Sequence, residues 1–170
     1  MEKLGVIFKV DTPTDWCSGM IVVPKPDGRI RICVEFTKLN ESVLRETYHL
    51  PKINNLLAQI KESKFFSKLD CNSVFWQKKL DPDLRLLTTF ITSFGRFCFN
   101  RMPFGIKSAP GHYQTRMSQI LEGQDGHILV VDDMIIYGKT QKEHDKRLRA
   151  VLKNLDEAGA TLNPGKCNSR

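Results

Sequence analysis

The stretch that decides the fold of this chain reads LVVDDMIIY and covers residues 129–137. Two adjacent acids, Asp132 and Asp133, interrupt an apolar run that is rich in β-branched residues. Such a run predicts two short buried strands that fold back on each other, with the acids at the bend. Because a buried, unpaired carboxylate is costly, these acids must either face water or hold a cation. Taken alone, the stretch favours a solvated turn, and a cation site would need further acids elsewhere in the chain.

A second predicted strand supplies such an acid. Residues 64–70 read KFFSKLD and predict an apolar strand that ends at Asp70. Two acids that are distant in sequence, each at the end of a strand, can meet at one edge of a sheet and share a divalent cation. Asp70 is therefore the first candidate partner of Asp132.

Length and composition are those of one globular domain, or of one domain and a fragment. The chain has 170 residues, of which 41% are hydrophobic and 26% charged, so extensive disorder is not expected. The formal charge is +7, and residues 61–170 carry most of it, with 18 Lys and Arg against 12 Asp and Glu. A basic excess suits a polyanionic partner, although many basic domains bind none.

The cysteine and histidine patterns argue against several kinds of site. Five widely spaced cysteines without a Cys-x-x-Cys pair or a signal peptide predict reduced thiols in an intracellular protein, cytoplasmic or nuclear. The histidines show no metal-like spacing, and His144 is expected to be solvated on the polar side of a helix. No apolar run approaches the roughly 20 residues of a membrane span. The sequence also lacks a Gly-rich phosphate loop and a nucleophile elbow.

A β-hairpin is predicted for residues 20–36, because Asp27-Gly28 is strong turn chemistry between two apolar runs. The return strand alternates, which assigns Ile30, Ile32, Val34 and Phe36 to a core face and Arg29 and Arg31 to the opposite face. The basic face is either a solvated edge strand or a flap whose Lys25 and Arg31 reach phosphates.

Three helices and one helical turn are predicted. Apolar residues at helical spacing predict helices at 51–60 and 108–121, and a third helix runs from a Thr140–Glu143 capping box to a C-cap at Gly159. Residues 72–77 predict a helical turn that places Phe75 and Trp76 in the core more readily than on a ligand platform.

The other segments are strands and turns. Residues 1–20 predict an extended arm with turns, residues 86–100 a second hairpin with Gly95 at its turn, and residues 161–163 a last strand. Hairpins, strands and helices mix without a βα repeat. The sequence therefore predicts an α+β fold with a mostly antiparallel sheet and helices packed on one face.

Five segments in chain order carry a resemblance to a known family. They read VPKPDGRIRICV at 23–34, YHLPKI at 48–53, FSKLD at 66–70 with FWQ at 75–77, LTTF through FNRMPFGIKSAP at 87–110, and VVDD at 130–133. In this order and spacing the chain resembles the reverse transcriptase domain of long-terminal-repeat retrotransposons of the gypsy (Ty3-like) type and, more loosely, retroviral polymerases. The fingers hairpin and the Pro-Phe-Gly loop argue against a GGDEF-like or other palm-fold enzyme.

The resemblance implies the fingers and palm of a polymerase right hand, without a thumb. Residues 1–60 would form a fingers-like β-hairpin arm with a connecting helix, and residues 61–170 the palm with the acidic hairpin, in one continuous domain. The family continues into a thumb, a connection and a ribonuclease H domain of a longer Pol polyprotein. A chain without them is expected to grip primer and template weakly and to have very low processivity.

The same resemblance implies an RNA-directed DNA polymerase that uses two Mg²⁺ ions, for which Mn²⁺ could substitute. Asp70 and Asp132 would hold both ions with Asp133 alongside, and the backbone carbonyl of Cys71 would be an extra ligand. The ions would activate the primer 3′-hydroxyl and stabilise the pyrophosphate leaving group. Hard oxygen ligands suit Mg²⁺, and three crowded carboxylates are costly without a cation.

Roles for substrate binding also follow from the resemblance. Lys25 and Arg31 would clamp the triphosphate of the incoming dNTP, and Phe75 would pack against its sugar and exclude a 2′-hydroxyl. Phe104 and Gly105 would line the pocket for nucleotide and template. The residues assigned to an RNA or DNA template and its primer are Arg101, Lys107 and Val130.

Three positions depart from the family pattern. Val130 replaces an aromatic residue, Val74 replaces a small residue and could push the Phe75 ring out of position, and Lys78 could lie on a core face. These departures and the expected lack of a thumb leave a second function open. The chain could be a catalytically inactive remnant that at most binds nucleic acid or serves as an interaction module.

Overall fold

The computed structural model describes residues 1–24, 28, 30–45, 58, 60–130 and 133–169. Most of the predicted helix at 51–60 lies outside the described residues, as do Lys25, Arg29 and Asp132.

The structure consists of short strands and helices. In chain order they are β1 (Ile7–Val10), β2 (Met20–Pro24), β3 (Ile30–Val34), α1 (Thr37–Ser42), β4 (Phe65–Asp70), α2 (Pro82–Arg85), β5 (Phe90–Thr92), β6 (Gly95–Phe99), α3 (Ala109–Ile120), β7 (His127–Val130), β8 (Asp133–Gly138), α4 (Gln141–Glu157) and β9 (Asn168–Ser169). Short 3-10 helices lie at Glu2–Leu4, Val74–Gln77, Leu86–Thr88 and Pro164–Lys166. None of the helices in the described ranges is long and apolar enough to cross a membrane.

The backbone groups into two compact units. One comprises Met1–Glu46 and Phe75–Ala109, and the other comprises Thr47–Val74 and Pro110–Arg170. These units describe packing, so the division into fingers at 1–60 and palm at 61–170 stays a prediction.

The first unit is built around aromatic side chains. A three-stranded antiparallel sheet has the order β1-β6-β5, and β2 pairs with β3 in a separate hairpin. The buried cluster consists of Val6, Phe36, Leu39, Phe90 and Phe99. The N-terminal arm is extended as predicted, but β1 pairs along its whole length with β6 and is part of the sheet.

The β2–β3 hairpin forms as predicted, although its core face is shorter than the alternation indicated. Phe36 is buried and Val34 packs against the aromatic cluster, whereas Ile30 and Ile32 are 63% and 37% exposed. The prediction that all four residues face a core is therefore wrong at the outer end. Alternation identifies which face of a strand is apolar but not how far along it the core extends.

The second unit contains an antiparallel sheet with the order β7-β8-β4-β9. β4 and β8 pair from Phe65 opposite Gly138 to Asp70 opposite Asp133. One face of this pair is buried at Ser67, Leu69, Met134 and Ile136, and α4 packs on β8 and β4. β7 and β8 pair antiparallel from His127 opposite Ile136 to Val130 opposite Asp133, so the predicted pair of strands and the antiparallel sheet are confirmed.

The helix α4 begins and ends as predicted. Thr140 Oγ1 accepts a hydrogen bond of 3.2 Å from the Glu143 backbone N–H, and Gly159 has a φ of +69° just after the C-cap. The prediction of a solvated His144 is wrong, because this side chain is only 3% exposed. Its Nε2 lies 2.9 Å from Ser67 Oγ and its Nδ1 lies 3.1 Å from Asp145 Oδ1, so polar contacts satisfy the buried ring.

Three strand predictions need correction. Residues 86–88 form a 3-10 helix directly after α2, in which the Thr89 backbone N–H donates to the Leu86 carbonyl at 3.2 Å and the Thr88 and Thr89 hydroxyls donate to the carbonyls three residues earlier. Residues 161–163 contribute one isolated bridge, between Leu162 and Cys71, and the last strand is β9. Lys78 is exposed, so the expectation that it lies on a core face is wrong.

Candidate active site

The two strand-end acids of the second unit meet at one edge of its sheet. Asp70 ends β4 and Asp133 begins β8, and the two are direct cross-strand partners. Residues opposite each other in an antiparallel pair have Cβ atoms about 4.5–5.5 Å apart. The Asp70 side chain is 14% exposed and the Asp133 side chain 54% exposed. The structure therefore brings together Asp70 and Asp133, whereas Asp132 lies outside the described residues.

A lysine accompanies each of these acids. Lys68 Nζ lies 2.8 Å from Asp133 Oδ1, and Lys166 Nζ lies 3.4 Å from Asp70 Oδ2. The hydrogen bond to Asp133 and the charge of that carboxylate raise the pKa of Lys68, and the charge of Asp70 adds to the same shift. Sequence reasoning missed both lysines. Lys68 had a signal, since it stands two residues before Asp70 and so on the same strand face.

The segment at 161–167 fixes the end of β4. The Asp70 carbonyl accepts a hydrogen bond of 2.8 Å from the Asn163 backbone N–H, and the Asn72 N–H donates to the Thr161 carbonyl at 2.9 Å. The Asp70 N–H points at Cys167 Sγ at 3.5 Å. Cys71 is buried and bridges to Leu162. That the Cys71 backbone carbonyl binds a metal ion stays a prediction.

The donors at this edge fit a divalent cation in type and charge. Within the residues described, no group of three or more His, Cys, Asp or Glu side chains could hold a metal. Two carboxylates, Asp70 and Asp133, nevertheless supply the hard oxygen atoms that Mg²⁺ prefers. Both carboxylates already contact ammonium groups, so each of them binds a cationic group at this edge.

The first unit contains the residues predicted to bind the nucleotide. The Phe75 ring is buried and makes an edge-to-face contact with Phe104 at 4.9 Å, and Phe104 is 46% exposed. Gly105 has a φ of +95°, a conformation that favours glycine. Arg31 is exposed on β3. Phe75, Phe104 and Gly105 thus belong to one local cluster, and the predicted Lys25 lies outside the described residues.

The residues predicted to bind nucleic acid occupy different places. Arg101 Nη1 donates to the Gln77 carbonyl at 3.4 Å, and Lys107 Nζ donates to the Asn40 carbonyl at 3.2 Å. Val130 ends β7 and pairs with Asp133.

Asn40 is a residue that sequence reasoning missed. Its side chain accepts from the Lys107 N–H and donates to the Gly105 carbonyl, both at 2.8 Å, and so fixes the loop that carries both residues. Asn40 lies in α1, and no local signal linked it to a loop 65 residues away.

Comparisons with known proteins show what this chain is similar to. A family model described as reverse transcriptase (RNA-dependent DNA polymerase) matches residues 23–170. The chain is 34% identical over 142 residues to the enzymatic polyprotein of figwort mosaic virus, covering 83% of this chain and 21% of that protein. It is 33% identical over 159 residues to the retrovirus-related Pol polyprotein from transposon 412 of Drosophila melanogaster, covering 89% of this chain and 13% of that protein.

A solved structure agrees with these matches. The foamy viral protease-reverse transcriptase in complex with an RNA/DNA hybrid has a TM-score of 0.87 and 25% identity, covering 98% of this chain and 22% of that one. The chain therefore spans only a minor part of the proteins it matches. The described strands and helices correspond to the fingers and palm of that fold, as the sequence predicted. The chain belongs to the reverse transcriptase (RNA-dependent DNA polymerase) family.

Proposed function

We propose that this chain carries the nucleotidyl-transfer site of an RNA-directed DNA polymerase from a retroelement Pol polyprotein. Its substrates would be dNTPs and a primer paired to an RNA or DNA template. The observation that carries this proposal is the direct cross-strand pairing of Asp70 with Asp133, in a chain whose family polymerises DNA on RNA. The RNA/DNA hybrid in the foamy viral structure supports the choice of partner.

The metal ligands in this proposal are Asp70, Asp132, Asp133 and the Cys71 carbonyl. Two bound Mg²⁺ ions, or Mn²⁺ in their place, would supply Lewis acidity at the primer 3′-hydroxyl and at the pyrophosphate leaving group. The pairing of β4 with β8 holds two of the carboxylates side by side, so the backbone that carries these ligands is already in place before a cation binds.

The other site residues would orient the substrates. Lys25 and Arg31 would hold the triphosphate by charge-assisted hydrogen bonds, and the buried Phe75 would face the sugar. Phe104 and Gly105 would line the nucleotide pocket. Arg101, Lys107 and Val130 would contact primer and template. We include in the proposal the division into fingers at 1–60 and palm at 61–170.

Primer extension tests the proposal. A labelled primer on an RNA template is extended by one nucleotide at high protein concentration and low salt, with Mg²⁺ or Mn²⁺. Asp132→Asn and Asp70→Asn each remove a proposed metal ligand and should slow extension by orders of magnitude. Asp156→Asn, which changes an exposed acid on α4, is the matched control and should extend like the parent chain.

Two results would contradict catalysis. The first is a parent chain that is folded and binds the duplex but extends no primer. The second is extension that survives loss of Asp70 or Asp132, since the activity would then come from another protein. In the first case the chain is a remnant that retains the fold and binds nucleic acid.

A further inference from the structure

We propose that Lys68 and Lys166 are built-in counter-cations, which occupy the Asp133 and Asp70 carboxylates when no divalent ion is bound and thereby lower the affinity of the acidic edge for metal. The inference rests on the proposed function, because it takes this edge to be the metal site. It adds two positioning residues that compete with the metal for its ligands.

Strand geometry puts Lys68 on the same face as Asp70 and diagonally across from Asp133. Side chains two residues apart on a strand share a face, so Lys68 stands beside Asp70 on the face opposite the buried Ser67 and Leu69. Its register partner is Ile135, and Asp133 is the diagonal neighbour on β8. From this position the ammonium group reaches Asp133 at 2.8 Å.

Lys166 reaches the other acid from a separate segment. It ends the 3-10 helix Pro164–Lys166, which follows Asn163. The Asp70 carbonyl accepts a hydrogen bond from the Asn163 backbone N–H. Asp70 therefore holds the segment that carries Lys166 and also pairs with the Lys166 side chain. Lys166 Nζ lies 3.4 Å from Asp70 Oδ2. This placement differs from that of Lys153 and Glu157, which pair by helical spacing on α4.

The charges explain why two lysines belong here. Like charges directly opposite each other on neighbouring strands are destabilising. Lys68 and Lys166 balance Asp70 and Asp133, so the described acids are neutralised in the absence of a metal ion. A divalent ion that enters must displace these ammonium groups or bind beside them, and both lower its affinity.

Mn²⁺ binding to the parent chain and its variants tests the inference. Free Mn²⁺ is followed by electron paramagnetic resonance during a titration without nucleic acid or nucleotide. Lys68→Gln and Lys166→Gln should each bind Mn²⁺ more tightly, on the order of tenfold for removal of one charge about 5 Å from a divalent ion in a water-like dielectric. Lys68→Arg keeps the charge and should bind like the parent, and Lys153→Gln is the matched control for loss of a surface lysine.

The same titration contains the results that would overturn the inference. Unchanged or weaker binding by Lys68→Gln overturns it, and so does tighter binding that persists when Asp70→Asn is added, because the ion would then be elsewhere. Thermal unfolding gives a second readout. Without metal, Lys68→Gln should melt below the parent, and saturating Mn²⁺ should raise its melting temperature by more than that of the parent.

Failure of the inference and failure of the proposed function give different results. If Lys68→Gln tightens Mn²⁺ binding at Asp70 but the parent extends no primer, the inference holds and the catalytic proposal fails. If the parent extends primer and Lys68→Gln binds Mn²⁺ like the parent, the catalytic proposal holds and the counter-cation inference fails.

Discussion

At the scale of single residues, Gly138 shows how a strand end can require glycine without an unusual φ. Gly138 is the last residue of β8, and a Cβ built there would lie 2.7 Å from the His144 backbone N and 2.9 Å from its Cα. These are backbone atoms of α4, which cannot move aside as a flexible side chain would. The strand and the helix pack this closely only because position 138 has no side chain.

We expect Gly138→Ala to lower the free energy of unfolding by about 2 kcal/mol, the cost typical of overpacking against a fixed neighbour. Urea unfolding followed by circular dichroism measures this change. Gly19→Ala is the matched control, since a Cβ there would meet no heavy atom within 4 Å. Equal unfolding free energies for Gly138→Ala and the parent would show that β8 and α4 can separate at no cost.

At the scale of elements, a polar chain joins β4 to α4. Ser67 is 1% exposed and contacts His144, which in turn contacts Asp145. A serine, a histidine and an aspartate in this order resemble a nucleophile and its base, but the burial of Ser67 keeps any substrate away. These three side chains are therefore a structural link that fixes β4, the strand carrying Asp70, to α4.

Removing the Ser67 hydroxyl should show how much this link contributes to the free energy of unfolding. We expect Ser67→Ala to cost roughly 1–2 kcal/mol of unfolding free energy, because the buried His144 Nε2 loses its hydrogen-bond partner. A double-mutant cycle with His144→Phe isolates the pair, and a coupling of about 1 kcal/mol is expected for residues in direct contact. Strictly additive effects would mean that the two side chains do not interact in solution.

The elements themselves were largely predictable, because their signals are local. The acidic hairpin, the strand that ends at Asp70 and the caps of α4 all follow from periodicity and turn chemistry within a few residues. The burial of His144 follows from its spacing and not from its polarity. It precedes Leu148 and Val151 by four and seven residues, which is the spacing of the buried stripe of α4.

At the scale of the whole molecule, the five cysteines report on folding. All five are thiols, as predicted, with Cys17 and Cys33 exposed and Cys98 completely buried. Burial raises the pKa of the Cys98 thiol to about 11, so little thiolate forms at neutral or mildly alkaline pH. Cys98 lies on β6, the central strand of the first unit, and becomes accessible only when that sheet opens.

We expect N-ethylmaleimide at pH 8 to label Cys17 and Cys33 at least about 100-fold faster than Cys98 in the folded chain, because Cys17 and Cys33 are exposed whereas Cys98 is buried and its raised pKa leaves it little thiolate. Peptide mass spectrometry after timed quenching measures the three rates. In denaturing urea the three rates should become similar, which controls for intrinsic reactivity. Fast labelling of Cys98 without denaturant would show that the β1-β6-β5 sheet opens under native conditions.

The sequence by itself determined the family, the α+β class, the acidic hairpin and the identity of Asp70 and Asp133 as candidate ligands. Tertiary structure decided that β4 and β8 pair with Asp70 opposite Asp133, since a one-residue slip would have turned one acid toward the core. It also brought Lys166 to Asp70 across 96 residues of sequence and buried His144 against Ser67. Periodicity and turn chemistry act between near neighbours and can be read along the chain. Contacts between distant residues depend on how the elements pack, and no local pattern encodes them.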